Sequence, residues 1–219
     1  MKKSLLAIPF SMLAFVCVAN AETYDQSGFY IGGKFAVNLA SWDNKYSVAS
    51  DPADIETDRF SLAQQLGFDV SAGYQFVSRW RAELNYGYTG KYEDKDSGAN
   101  FSIGTQYAFA NAIYTFGQWE RTSVYGGLGA GAAFVQSKMA GPIFIDDNNE
   151  TKTGATYAAN AMLGLEEMIN YNLGLNIQYR FMLNGGHRHN RAVAGDDTMR
   201  NDIGSIITHS IMVGAKYKF

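Results

Sequence analysis

Arg81 and Glu83 stand two residues apart, a spacing that puts both side chains on one face of an extended strand. Opposite charges held that way line a path for ions, or they cross-link and seal a narrow interior. Either role needs partners, because a buried charge left alone is costly. Lys34, Asp69, Glu166, Arg180 and Lys216 occupy equivalent places in other segments and complete a candidate network.

Other groupings carry less. His209 and Ser210 are hydrolase residue types, but strand neighbours point to opposite faces, and a triad needs both on one face with a carboxylate behind the imidazole. His187 and His189 lie among Arg188, Asn190 and Arg191. Two histidines without a third ligand describe a solvated basic loop better than a metal site. Asp146-Asp147-Asn148-Asn149-Glu150 lacks the spacing and glycine of a calcium loop. Gly127-Leu128-Gly129-Ala130-Gly131-Ala132 has the letters of a dinucleotide fingerprint, yet Ala133-Phe134-Val135 continues a strand rhythm where the fingerprint needs a helix. The expectation is a chain without catalytic residues, cofactor or metal site.

The elements that must position the charges are strands. Past Glu22, two-residue alternation recurs in eight segments. Their apolar faces run through Phe29, Ile31, Phe35 and Val37; Leu66, Phe68 and Val70, with Gln64 as a polar exception; and Trp80, Leu84 and Tyr86. They continue through Ile103, Tyr107, Phe109 and Ile113; Val124, Leu128 and Phe134; and Tyr157, Leu163 and Leu165. The last two hold Leu175, Ile177 and Tyr179, then Ile211, Val213, Tyr217 and Phe219. No charge falls on any of these faces, whereas the opposite faces hold all seven network residues and Lys218 among Gly, Ala and Ser. In the fourth segment strict alternation sends Asn111 to the apolar side, unless a bulge reverses the face or the residue sits at an interface.

A soluble sheet would bury the apolar face and wet the charged one. The amino terminus argues for the reverse. Lys2 and Lys3, an apolar run over 5–18 and Ala19-Asn20-Ala21 have the order of a secretory leader. Cleavage after Ala21 would start the mature chain at Glu22 and remove the single cysteine, Cys17. Val16 stands where an acylated cysteine wants a small residue, which disfavours a lipoprotein. The whole chain of 219 residues carries a net charge of −3, too little to suggest a nucleic-acid partner. Its mean hydropathy of −0.18 excludes a bundle of membrane helices. Small residues on the charged face suit a tight interior, and aromatics near the strand ends suit lipid girdles.

The connections alternate in length. Short ones fall near Phe76-Val77-Ser78, Gly117-Gln118-Trp119 and Met168-Ile169-Asn170, and long polar ones near 41–60, 90–99, 136–152 and 184–202. The first long one is acidic, with Asp43, Asp51, Asp54, Glu56 and Asp58 against Lys45 and Arg59. This predicts a leader over 1–21 and one all-β domain over 22–219. That domain is an eight-stranded antiparallel up-and-down transmembrane β-barrel with periplasmic turns and external loops.

Gly28-Phe29-Tyr30-Ile31-Gly32-Gly33, Arg81-Ala82-Glu83-Leu84-Asn85-Tyr86, Tyr125-Gly126-Gly127-Leu128-Gly129-Ala130-Gly131 and Gln178-Tyr179-Arg180-Phe181 resemble the opacity-protein-like group of outer-membrane β-barrels, relatives of the OmpA/OmpX type. The ending from His209 to Phe219, with Tyr217 and Phe219, resembles the signal read by bacterial barrel-assembly machinery. The resemblance implies a multi-pass protein of a Gram-negative outer membrane, exported through a cleaved leader. Lipid, lipopolysaccharide and the assembly machinery would be its partners. It further implies a non-enzymatic surface protein, adhesin-like, antigenic or structural, whose loops meet a host-surface ligand. A narrow porin-like channel and a lipid A hydrolase using His209 with Ser210 are the alternatives. A closed barrel should migrate faster on an SDS gel unboiled than boiled; identical mobilities would contradict the fold.

Overall fold

The computed structural model describes residues 27–48, 51–94, 100–140, 151–193 and 197–219. Ala19, Ala21 and Glu22 of the leader, and the acidic run 146–150, lie outside the described residues. Ten strands form: β1 (Gly28–Val48), β2 (Asp51–Gln75), β3 (Trp80–Asp94), β4 (Asn100–Trp119), β5 (Thr122–Ala140), β6 (Thr151–Met168), β7 (Leu173–Asn184), β8 (His187–Val193), β9 (Asp197–Ile203) and β10 (Ile206–Lys218). No helix occurs among the described residues.

Each of β1 to β7 pairs antiparallel with the next, β7 pairs with β10, and β10 returns to β1. The result is a closed eight-stranded up-and-down barrel. Registered partners followed once around it lead from Asn184 through Ala158, Gly131, Phe109, Asn85, Ser71, Gly32 and Lys216 to Gly174. That is ten residues along β7 from the start, the stagger that tilts the strands and sets the bore. Both ends of the described domain and the short turns lie on one rim.

The turns differ in one place from the sequence reading. Gly117, Gln118 and Trp119 stay on the ladder, opposite Val124, Ser123 and Thr122, after a bulge between Thr115 and Gly117. The reversal is the two-residue turn Glu120-Arg121, with Glu120 at φ 46°. The long connections are largely sheet as well. β1 and β2 have 21 and 25 residues, against the roughly 9–11 that cross a bilayer. β8 and β9 continue β7 and β10 as a further hairpin, with β9 beside Asn44–Val48 of β1.

These extensions part at two seams. β2 pairs with β3 only between Phe68 and Gln75, and β6 with β7 only between Ala158 and Met168. Above them, among the described residues, β8-β9-β1-β2 form one sheet and β3-β4-β5-β6 another. At the first seam β3 bulges between Tyr88 and Lys91, with Gly90 at φ 96°. Asn38 Nδ2 donates to the Thr89 carbonyl at 2.7 Å and so supplies the bond that β2 no longer makes. It reaches there past Gly67, where a Cβ would lie 2.7 Å from that nitrogen.

Exposure alternates along the walls as the sequence predicts for seven strands: Phe35 is 81% exposed and its neighbour Lys34 only 7%. β4 is inverted. Ile103, Tyr107, Phe109 and Ile113 are buried in the lumen, and Asn111 with them at 5% exposure, whereas Ala110 and Ala112 face out. Neither a bulge nor an interface position is involved, since the ladder runs unbroken from Gly104 to Thr115. The inner face of β5 carries glycines directly opposite: Ile113 pairs with Gly127, Asn111 with Gly129 and Phe109 with Gly131. A Cβ at Gly127 would sit 2.9 Å from Ile113 Cγ1, so the large inward residues of β4 occupy room that the glycines leave. Gly90→Val should lower the urea midpoint of the barrel in micelles by the equivalent of about 1–3 kcal/mol, the cost of a positive φ in a branched residue. Gly33→Ala, with nothing within 4 Å of the new Cβ, should leave it unchanged.

Candidate functional site: the lumen network

The seven charged residues singled out from sequence all lie in the lumen, and the barrel brings them into two groups. Near the short-turn rim, Arg81 Nη1 of β3 donates to Glu166 Oε2 of β6 at 2.8 Å, and Lys216 Nζ of β10 donates to the other oxygen of the same carboxylate. Further in, Arg180 Nη1 of β7 donates to Asp69 Oδ2 of β2 at 2.9 Å. Lys34 Nζ of β1 stands between Asp69 and Glu83, at 3.9 and 3.8 Å. Tyr30 joins the groups: its hydroxyl donates to Glu83 at 3.1 Å, and Lys216 Nζ lies 5.0 Å from its ring centre.

Inward tyrosines and amides, which the charge pattern alone does not reveal, complete the network. Asp69 Oδ2 also accepts from Tyr107 and Asn85. Asn85, Asn111 and Asn160 bond in series across β3, β4 and β6. Arg81 stacks 4.5 Å from the Tyr125 ring centre and Arg180 5.4 Å from that of Tyr107. Nε and Nη2 of both arginines find no hydrogen-bond acceptor among the described residues, and the ring faces supply the negative side of a quadrupole instead. The signal for Tyr30, Asn85 and Asn160 is parity, since each shares a strand face with a charge; Tyr125 shares its face with the glycines of β5, and for Tyr107 and Asn111 the inverted face of β4 hides it.

Around the charges, the lumen is filled rather than open among the described residues. The cavity among Tyr30, Lys34, Arg81, Glu83, Tyr125 and Gln178 has a volume of about 10 Å³, the space of a single water at most. Beyond the charges come Tyr107, Phe109, Ala133, Ala158 and Met182, then Ala40, Trp42, Ile103, Val135, Ile203 and Ile206 with Tyr92. A larger cavity, about 50 Å³, lies at the short-turn rim.

His209 and Ser210 part company. Ser210 points inward and donates to Asn38 Oδ1 at 2.6 Å, while His209 Nδ1 meets the Tyr179 hydroxyl at 2.7 Å on the outer wall. Tyr217 and Phe219 also face out, 46% and 70% exposed, with ring centres 5.3 Å apart. His187 and His189 fall on β8. No group of metal-ligating side chains occurs among the described residues.

A sequence profile described as "Outer membrane protein beta-barrel domain" matches residues 8–219. The chain belongs to this family. It is therefore an outer-membrane β-barrel protein, and its apolar wall is the lipid face. The chain is similar in structure to Neisserial surface protein A, with TM-score 0.53 and 18% identity over 89% of this chain and 99% of that one. It is also similar to the outer membrane protein OprG of Pseudomonas aeruginosa, with TM-score 0.57 and 16% identity over 88% and 96%. A third neighbour is the outer membrane protein AlkL, with TM-score 0.52 and 13% identity over 93% and 95%. At these identities the likeness is one of fold. No curated sequence matches the chain.

Glu166 holds two cations within a membrane-spanning wall, so its removal strands both. Glu166→Gln should destabilise the barrel by about 3–5 kcal/mol in urea titrations in micelles. Glu167→Gln, next to it on the exposed face, should cost less than about 1 kcal/mol. Equal effects would show that the lumen pairs contribute nothing special.

Proposed function

We propose that this protein is a non-enzymatic surface-contact protein, adhesin-like or antigenic, in which a sealed barrel carries the recognition surface. The observation behind this reading is the division of the long strands. The lower part of β1 and β2 packs into a cross-linked wall, and the upper part of the same strands stands beyond the membrane as sheet. Strand extensions on a rigid wall hold a surface at fixed geometry, which lowers the ordering cost of binding. The ligand is proposed to be a macromolecule of a host surface, met by the hairpins. Export through a leader cleaved after Ala21, a lipopolysaccharide surround and recognition of Tyr217 and Phe219 by assembly machinery belong to the same proposal.

Cells displaying the protein should bind host cells or matrix more than cells without it. Shortening one hairpin at a time, with two-residue turns in place of 44–58 or 188–201, should remove the gain for at least one hairpin. Unchanged binding for every deletion, or no gain at all, overturns the proposal. In planar bilayers no steady conductance is expected; a conductance altered by Arg81→Gln would favour a channel instead.

A further inference from the structure

Lys34 stands opposite Asp69 in the register of β1 and β2, yet its ammonium makes direct contact with neither nearby carboxylate. It lies 3.9 Å from Asp69 Oδ1 and 3.8 Å from Glu83 Oε1, beyond the range of a hydrogen bond. Both carboxylates are drawn elsewhere through their other oxygen. Asp69 Oδ2 accepts from Arg180, Tyr107 and Asn85, and Glu83 Oε2 accepts from Tyr30. Among the described residues, Glu83 Oε1 is left without a donor, and so is Asn176 Oδ1 on β7. A polar pair held this far apart in a buried place raises the question of a water between.

Lys34, Glu83 and Asn176 all line the small lumen cavity of about 10 Å³, and all three are more than nine-tenths buried. The space exists because Gly32 and Ser71, registered partners on β1 and β2, present little side chain there. It is tight: a Cβ on Gly32 would lie 2.8 Å from Ser71 Oγ. The lining decides the occupant. An anion would face the free oxygen of Glu83, and a cation would face Lys34. Only a molecule that both accepts and donates meets the ammonium and the two oxygens together. The volume is at the lower limit of what one water needs, which excludes anything larger. Arg81, Glu166 and Lys216 line both this cavity and the larger one at the short-turn rim, so exchange with bulk solvent runs toward the periplasm.

We propose that this cavity is a binding site for a single internal water, held by the Lys34 ammonium, Glu83 Oε1 and Asn176 Oδ1. The water accepts from Lys34 and donates one proton to each oxygen, the three bonds usual for a buried water. Lys34 and Glu83 are then a water-bridged pair rather than a direct one, and the Asn176 carbonyl oxygen gains the donor that the wall does not supply. The site lies inside the barrel and is independent of the surface-contact reading.

The test uses the full barrel refolded in zwitterionic micelles, with solvent water as the probe. A magnetisation-transfer cross-peak is expected between water and the Asn176 side-chain amide, with the sign of dipolar contact and not of proton exchange. Oxygen-17 relaxation dispersion of the solvent should show the loss of one long-lived water in Asn176→Leu, which removes an acceptor at similar volume. Gly33→Ala, on the outer wall with nothing within 4 Å of the new Cβ, should keep the full amplitude. The urea midpoint separates a wet cavity from a dry one. In a dry cavity Asn176→Leu removes an unsatisfied group and raises the midpoint, whereas loss of a bound water lowers it. Heat-modifiable mobility reports whether the variant folds, and if it does not, the wild-type cross-peak alone decides. The proposal is overturned by a folded wild-type barrel without that cross-peak, or by an unchanged dispersion amplitude or a raised midpoint in Asn176→Leu.

Discussion

In hydrocarbon a backbone N–H or C=O has no water to turn to. The twelve residue pairs between β1 and β10, from Tyr30↔Lys218 to Ser41↔Ile207, meet that constraint by joining the first strand to the last. Everything else in the wall follows from that closure. Eight strands with a stagger of ten residues fix a bore too narrow for a water column, so side chains must fill it. A filled lumen in a membrane must in turn satisfy the polar groups it contains, and hence each carboxylate is held by more than one donor or cation.

Filling the bore is a matter of size as well as charge. β5 presents glycines inward, and β4 answers with Phe109, Asn111 and Ile113, while the outer face of β4 shrinks to alanine. Tyr30, Tyr107 and Tyr125 each serve both needs. Their rings pack against the wall or flank the cations, and their hydroxyls bond Glu83, Asp69 and Gln178. Large and small residues alternate around the ring, which is how a close-packed interior avoids voids.

That reciprocity explains what the sequence could and could not reveal. Six strands are legible because lipid tolerates no charge, so Lys34, Asp69, Arg81, Glu166, Arg180 and Lys216 mark the inner face of their own strands, and β5 is legible from the glycines that alternate with Leu128 and Ala130. β4 has no charge in its crossing, and its inner face is the more apolar one. Hydrophobicity then points the wrong way, and only Asn111, together with the glycines of β5, betrays the inversion. The upper strands read as loops because runs of polar and charged residues such as Asp43-Asn44-Lys45 and Thr57-Asp58-Arg59 break the alternation in the sequence there. The turn at Glu120-Arg121 falls later than the sequence suggests, because Gly117 has the look of a turn residue and in fact follows a bulge.

The order of residues along β1 shows why the two ends of the lumen differ. From the short-turn rim inward come Tyr30, Lys34 and Asn38, polar or charged, and then Ala40 and Trp42, which pack into the apolar cluster with Ile103, Val135 and Ile206. Placing the apolar layers at the outer end excludes water from the side that meets the environment, and leaves the charged layers nearest the periplasm. A solute arriving from outside meets hairpins and a dry plug. One arriving from the periplasm meets arginine, lysine and hydrogen-bond donors around an accessible cavity. The described wall is thus a one-sided cup, with the sheets above the seams at the end where it no longer has to satisfy lipid.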